Sequence, residues 1–432
     1  MGVELVENEA LVGRLIARLR SNNMWAQSAL VFGGSMVLNI CSFFFHAIAS
    51  RKLGVADYGV LYALLSACAI AVAPATVLTS VVARFAAEFK ALHDDSHVRG
   101  LVFGIVRGFG VIGLGYLAGA VVFQQPLAEF LHAPPASILL AVIIVVIVLN
   151  SSMLRAVAQG TQRFLVFSGS TVIEGATKVF AAFVLLMAGF GLFGSIIAFA
   201  IGSFCGLACV AGYLFYRYTS VPPQNVHYDW SRIAIAVAGS ASLAITVALM
   251  GNADVVLVKH FLPSSEAGLY AATSLVGKIM LFVAGFIPIV LLPQASDRHA
   301  RGVRTRGVLL TSCGMLAGIA LCGLCVVKFF GIFLLHALVG HAFDAAQGLL
   351  VWYAAAMVFL AFTNALGSYG IATHRLAFAI PVLLFTIVTL GMIALYHPSL
   401  IRVVQTLFVG NLVTTTVVAL ILGIQGLRLQ RR

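Results

Sequence analysis

Charge is what this sequence has least of. Asp, Glu, Lys and Arg make up 9% of its 432 residues, and only 14 residues are acidic. Ordinary soluble domains carry about 25% charged residues. With 61% hydrophobic residues and a mean hydropathy of +1.06, the chain has more apolar surface than one water-soluble core can hide. A polytopic membrane protein is expected. Signatures of chemistry are missing too. There is no G-x-x-x-x-G-K-[ST] loop for a nucleotide, no H-E-x-x-H, no G-x-S-x-G and no cysteine–histidine metal cluster. No catalytic residue, metal or cofactor is therefore assigned, and the chain is not expected to be an enzyme. The cysteines (Cys41, Cys68, Cys205, Cys209, Cys313, Cys322 and Cys325) lie within apolar runs and read as small hydrophobes.

What the sequence has is long apolar runs. Lipid cannot satisfy bare backbone groups, so spans are helices or a closed barrel. Runs of about 20 residues fit helices, whereas tilted barrel strands need about 10. The expected class is all-α, with about twelve transmembrane helices in two six-helix lobes around a central cavity. Their approximate limits are 24–49, 58–83, 101–123, 136–157, 164–187, 192–216, 233–258, 266–292, 307–330, 343–367, 376–396 and 400–424. Residues 24–216 form the first lobe and 233–424 the second. A polar stretch, 217–232, with Pro222, Pro223 and Trp230, links them. Residues 1–23 read as an amphipathic segment, with Leu11, Leu15, Ile16 and Leu19 on one face. Residues 425–432 are a basic tail.

The net charge of +12 does not point to nucleic acid, because the basic residues sit mostly in short connections. Arg84, Lys90, Arg99, Arg155, Arg163, Arg217, Arg232, Arg298, Arg301, Arg304, Arg306 and Arg375 fall on one side. Arg51, Lys52, Lys259, Lys328 and Arg402 fall on the other. The positive-inside rule then places both termini in the cytoplasm.

The two halves echo each other. RKLGVADYGVLYA, Arg51 to Ala63, joins the first two runs, and KHFLPSSEAGLYAA, Lys259 to Ala272, joins the seventh and eighth. Lys52 corresponds to Lys259, Asp57 to Glu266, Gly59 to Gly268, and Tyr62–Ala63 to Tyr270–Ala271. Pro74 and Pro288 fall in the second run of each half. A repeat in matching places of two halves is a mark of transporters built from a duplicated bundle.

Ionisable residues within spans are costly and are functional candidates by default. Glu174 and Lys178 are four apart with the acid first, so they can neutralise each other. Alternatively Lys178 holds an anion and Glu174 takes protons. Asp254 either pairs with Lys259 or forms a proton or cation site. Lys278 has no acid within one turn, so a substrate anion or another helix must satisfy it. Arg107 either snorkels to the interface or marks the start of a substrate path. Arg107, Lys178 and Lys278 are thus the candidate substrate-binding residues, and Glu174 and Asp254 the candidate ion-coupling residues. His46 and His336 read as packed or interfacial rather than as ligands.

The stretches RKLGVADYGVLYALLSA, Arg84 with FAAEF, AQGTQRF (Ala158 to Phe164), NADVVLVKHFLPSSEAGLYAA (Asn252 to Ala272) and THRL (Thr373 to Leu376) carry a resemblance. The chain resembles the polysaccharide transporters, the O-antigen flippases of the multidrug/oligosaccharidyl-lipid/polysaccharide (MOP) flippase superfamily. The resemblance implies alternating access in a bacterial inner membrane. It implies an undecaprenyl-diphosphate-linked oligosaccharide as substrate, for O-antigen, capsule or exopolysaccharide synthesis. Coupling to a proton or sodium gradient follows, as do polymerase and chain-length proteins as partners. A cation-coupled multidrug exporter of the same fold is the nearest alternative. A polymerase or ligase of polysaccharide assembly fits less well, since no large outer loop is present.

Overall fold

The computed structural model describes residues 24–222 and 230–430, with side chains described over 30–222 and 240–425. The amphipathic reading of 1–23, residues 223–229 of the linker and the end of the basic tail lie outside these limits. Among the described residues the chain is helical throughout, without strands. The helices are α1 (Met24–Ala91), α2 (Asp95–Leu131), α3 (Pro135–Gly160), α4 (Phe164–Met187), α5 (Gly191–Tyr218) and α6 (Trp230–Phe261). They continue as α7 (Ser264–Ala284), α8 (Phe286–Ala300), α9 (Arg306–Leu338), α10 (Gln347–Ala372), α11 (Ala379–Leu395) and α12 (Leu400–Gln430).

Eleven of the helical stretches are long and apolar enough to cross a membrane. The first, Leu30–Ala91, is 62 residues long. At 1.5 Å per residue it would run about 93 Å if straight, three times the hydrocarbon thickness of about 30 Å. It is not straight. Gly54 adopts φ 74°, ψ 179° and breaks it. That conformation is open to glycine and strained for other residues. The break makes two crossings, so the eleven stretches supply twelve. Ser264–Ala300 is the matching stretch of the second half, interrupted at Gly285 three residues before Pro288. Pro288 has no N–H to give the carbonyl four residues back, and its ring crowds that turn.

The helices sort into two sets. Within the first, α4 packs on α5, and α1 on α3 and α4. Within the second, α10 packs on α7 and α12, and α11 on α6 and α12. The two sets meet where α1 packs against α6 and α7. The third crossing of each half, α2 and α9, has only 22% of its apolar window buried, so both stand at the periphery facing lipid. Cys322 and Cys325 stand in C-x-x-C spacing on exposed positions of α9, and all seven cysteines are free thiols. Asp94 and Asp95 stand at the start of α2. Asp94 caps α2 by accepting the His97 backbone N–H at 3.0 Å, which holds its carboxyl below the usual carboxylate range. Asp95 pairs with Arg217 at 2.8 Å.

Candidate functional site

The two sets are sealed together near Gly54. Gly59 of α1 and Gly268 of α7, the paired glycines of the repeat, lie against each other. A Cβ on Gly59 would come within 2.7 Å of the Gly268 nitrogen, and one on Gly268 would overlap the Val55 carbonyl oxygen. Only two residues without side chains allow this approach of backbones. Around them Tyr58 meets Phe343 edge-on at 5.6 Å, and Arg51 donates to the carbonyls of His336 and Ala337 at 2.8 Å each. Phe130 and His260 stack at 4.0 Å across the same seam.

Towards Ala91 the sets part. Between them lies a cavity of about 720 Å³. On α1 its wall runs from Tyr62 to Ser80, on α6 from Asn252 back to Ser240, and on α10 from Asn364 to Ile371. Each of these stretches leads away from the Gly54 seal, so the cavity opens at the other end. Its lining includes Asn39, Ser42, His46, Tyr62, Asn252 and Lys278, and none of the described lining residues is acidic.

Lys278 is the cation of the cavity. It sits about 21 Å along α7 from Ser264, at 1.5 Å per residue, which is mid-depth. Its Nζ donates to Asn252 Oδ1 at 3.1 Å and lies 5.0 Å over the Tyr62 ring. Tyr62 belongs to the first lobe and Asn252 to the second, so the lysine is held at the seam. Below it, Ser274 shares hydrogen bonds with Tyr62 at 3.4 Å and with Tyr353 at 2.9 Å. Lys278 also interacts electrostatically with Asp254. Asp254 is fully buried; Tyr270 donates to its Oδ2 at 2.9 Å, the Tyr353 hydroxyl also bears on the carboxylate, and Oδ1 accepts no hydrogen bond.

Lys178 lies behind the wall of the first lobe. It is buried, donates to Ser42 Oγ at 2.9 Å and sits 4.8 Å over the Phe199 ring. Ser42 and Phe199 both line the cavity, so the lysine reaches it through them. His46 feels the charges of both Lys178 and Lys278. The two lysines of the candidate path therefore converge on one histidine from opposite lobes. Arg107 is elsewhere: it is exposed on the peripheral helix α2 and is not part of the cavity lining.

Two expected pairings give way to others. Glu174 binds Arg155 of α3 at 2.7 Å rather than Lys178. The pattern of basic residues puts Arg155 in a connection, but α3 continues to Gly160 and carries it inside the helix. Its Nε also donates to Ser170 Oγ at 2.9 Å. Lys259 turns from Asp254 to Ser264 Oγ, at 2.8 Å. Residues five apart stand about 140° apart around a helix, so the two could not share a face. Sequence reasoning reads His46 as packed or interfacial and passes over Asn252, Ser274 and Tyr353, because a lone polar residue in an apolar run carries no signal of its neighbours.

The Arg155–Glu174 pair predicts a stability test. Both side chains are nearly buried, at 13% and 12% exposed. Breaking such a pair from one side costs about 3–5 kcal/mol, because an unpaired charge remains. Glu174→Gln and Arg155→Met should each lower the yield and unfolding temperature of purified protein. The double variant should recover most of both. Equal loss in the double variant would argue against the pair as the cause.

No family model matches the chain. An uncharacterized membrane protein of Methanocaldococcus jannaschii is 21% identical over 287 residues, spanning 62% of this chain and 66% of that protein, just under two thirds of its length. Solved structures match over nearly the whole chain. An inward-facing multidrug resistance MATE transporter of the MOP superfamily has a TM-score of 0.70 at 11% identity, over 90% of this chain and 96% of its own. The lipid II flippase MurJ, in an inward closed conformation, has a TM-score of 0.65 at 13% identity, over 90% and 86%. A MOP transporter from Pyrococcus furiosus, described as having a binding pocket of reversed polarity, has a TM-score of 0.57 at 12% identity, over 91% and 93%. The fold is that of the MOP superfamily transporters. It confirms the all-helical two-lobe class expected from the sequence.

Proposed function

We propose that the chain is a flippase that carries a polyprenyl-diphosphate-linked oligosaccharide across the membrane by alternating access. The observation that carries this reading is the mid-depth cavity, which offers Lys278 and the nearby Lys178 with no acidic residue among its described lining. A diphosphate needs cations that replace its water, and lysines serve as mobile point charges that hold it without a fixed geometry. The cavity's asparagines, serines and tyrosines suit sugar hydroxyls, and the prenyl tail can stay in lipid. At the open end a second cavity, of about 710 Å³, presents Arg304, Arg306 and Arg375 together. Anionic head groups would gather there first. A drug exporter of the same fold would want an acid facing its cation; here the acids are tied to Arg155 or buried behind tyrosines.

Asp254 is the group for ion coupling. Its buried carboxylate is met by tyrosine hydroxyls while Oδ1 accepts no hydrogen bond, and leaving a carboxylate oxygen unsatisfied in an apolar interior is costly. A proton or sodium ion arriving there relieves that cost and loosens the hold of the carboxylate on Lys278. Within this reading the open end faces the cytoplasm of the inner membrane, the donor side for undecaprenyl-linked repeat units made for O-antigen, capsule or exopolysaccharide. Polymerase and chain-length proteins act downstream.

Orientation is tested directly. In a variant without native cysteines, Pro222→Cys should resist an impermeant thiol reagent in intact cells, whereas Arg402→Cys, at the Gly54 end, should react. The reverse pattern would invert the proposed direction of transport.

A further inference from the structure

The clearest unassigned chemistry lies at the Gly54 end of the second lobe. There α9 ends at Leu338, and a 3-10 turn, His341–Ala346, leads into α10. Gly340, at φ 101°, folds the chain back so that His341 returns over the helix end. The rings of His336 and His341 come to 3.8 Å between centroids at 47°. His336 Nε2 lies 2.7 Å from Asp344 Oδ1. One ligand atom of each of His336, His341 and Asp344 lies within 4.8 Å of the others.

A surface His–Asp pair needs only two of these residues. The third donor, crowded against the first imidazole, has no such explanation. We propose that His336, His341 and Asp344 bind a divalent transition metal ion of the zinc type. Two imidazoles and one carboxylate are the donors such ions take, with a fourth position left for water. Magnesium and calcium prefer more oxygens than this group offers. Bonds of about 2.0–2.2 Å in a tetrahedron set the donors about 3.3 Å apart, so His336 and Asp344, now 2.7 Å apart, must part slightly while His341 closes on them. All three side chains are partly or fully exposed, so they have room to do so and the ion has a way in. The ion would take the place of the proton that His336 and Asp344 share. It would also stand at the C-terminal end of α9, the negative end of the helix dipole.

The site has a place in the working cycle. Arg51 of the first lobe holds the carbonyls of His336 and Ala337, and Phe343, on the turn itself, packs on Tyr58. A metal ion that fixes this turn to α9 firms up the surface on which the first lobe closes. Occupancy would favour the closed Gly54 end.

The test uses the full chain, purified in detergent, freed of any affinity tag and stripped with a chelator. Cobalt(II) is the probe, because tetrahedral coordination gives it strong visible absorption. One equivalent should bind with that spectrum, be displaced by zinc, and raise the unfolding temperature. His341→Ala and Asp344→Asn should each weaken cobalt binding at least tenfold. His260→Ala, at the neighbouring His132–His260 pair, should leave it unchanged. Wild-type affinity in both His341→Ala and Asp344→Asn would overturn the assignment, as would absence of the tetrahedral spectrum from the wild-type protein.

Discussion

Lys278→Gln should stop export while leaving a folded protein in the membrane. The lysine is the cation lining the cavity, and it is held between Tyr62 of one lobe and Asn252 of the other. On the proposed function, a diphosphate passing the midplane exchanges water for whatever the wall provides. Truncating one partner of a desolvated charge contact costs about 2–5 kcal/mol. At about 1.4 kcal/mol per factor of ten, that slows transport by at least tenfold. The measurement is build-up of lipid-linked repeat units on the cytoplasmic leaflet. Lys278→Gln also leaves the nearby Asp254 without its counter-charge, so the single variant mixes two effects. Lys278→Gln with Asp254→Asn removes both charges and should fold well yet still fail to export. Lys278→Arg should keep part of the activity. Normal export by the double variant would end the role given to this lysine.

Gly268→Val should jam the cycle from the opposite side. The seal at Gly54 depends on two glycines in backbone contact, and any Cβ on Gly268 overlaps the Val55 carbonyl oxygen. A side chain could swing away, but a backbone oxygen inside a helix cannot. Overpacking typically costs about 1–3 kcal/mol, and here the cost falls on one state only. By population shift, 3 kcal/mol moves the balance against the sealed state by about a hundredfold. The protein should rest open at the Gly54 end. Tyr62→Cys, placed just inside the seal in a variant lacking native cysteines, should then react with an impermeant reagent at least tenfold faster when Gly268→Val is added. Unchanged labelling together with normal export would show that the seal is not where the lobes close.

These cases show what a sequence reveals and what it hides. The spans, the break between the first two of them and the correspondence of Gly59 with Gly268 were legible because each rests on local pattern, apolar length or one motif stated twice; the contact of those glycines was not. The partners of the charges were not. Glu174 chose Arg155 over Lys178 because α3 crosses it, and no spacing within α4 encodes that crossing. Lys178 was then free to bind Ser42, beneath an aromatic ring. His46 gained meaning only when two lobes brought a lysine each to its side. Arg107 looked deep by residue count, yet it lies on a helix that faces outward.

The connections at the Gly54 end have a practical result for anyone handling the protein. α1 turns on a single glycine, only three residues separate α2 from α3 and α4 from α5, and two separate α6 from α7. Such tight reversals expose almost no extended backbone for a protease to grip, and they leave no slack for an inserted epitope. Tags and cleavage sites placed there would split helix pairs that depend on one another. The boundary between α5 and α6 divides the two helix sets, and halves expressed separately on either side of it would ask whether the sets reassemble.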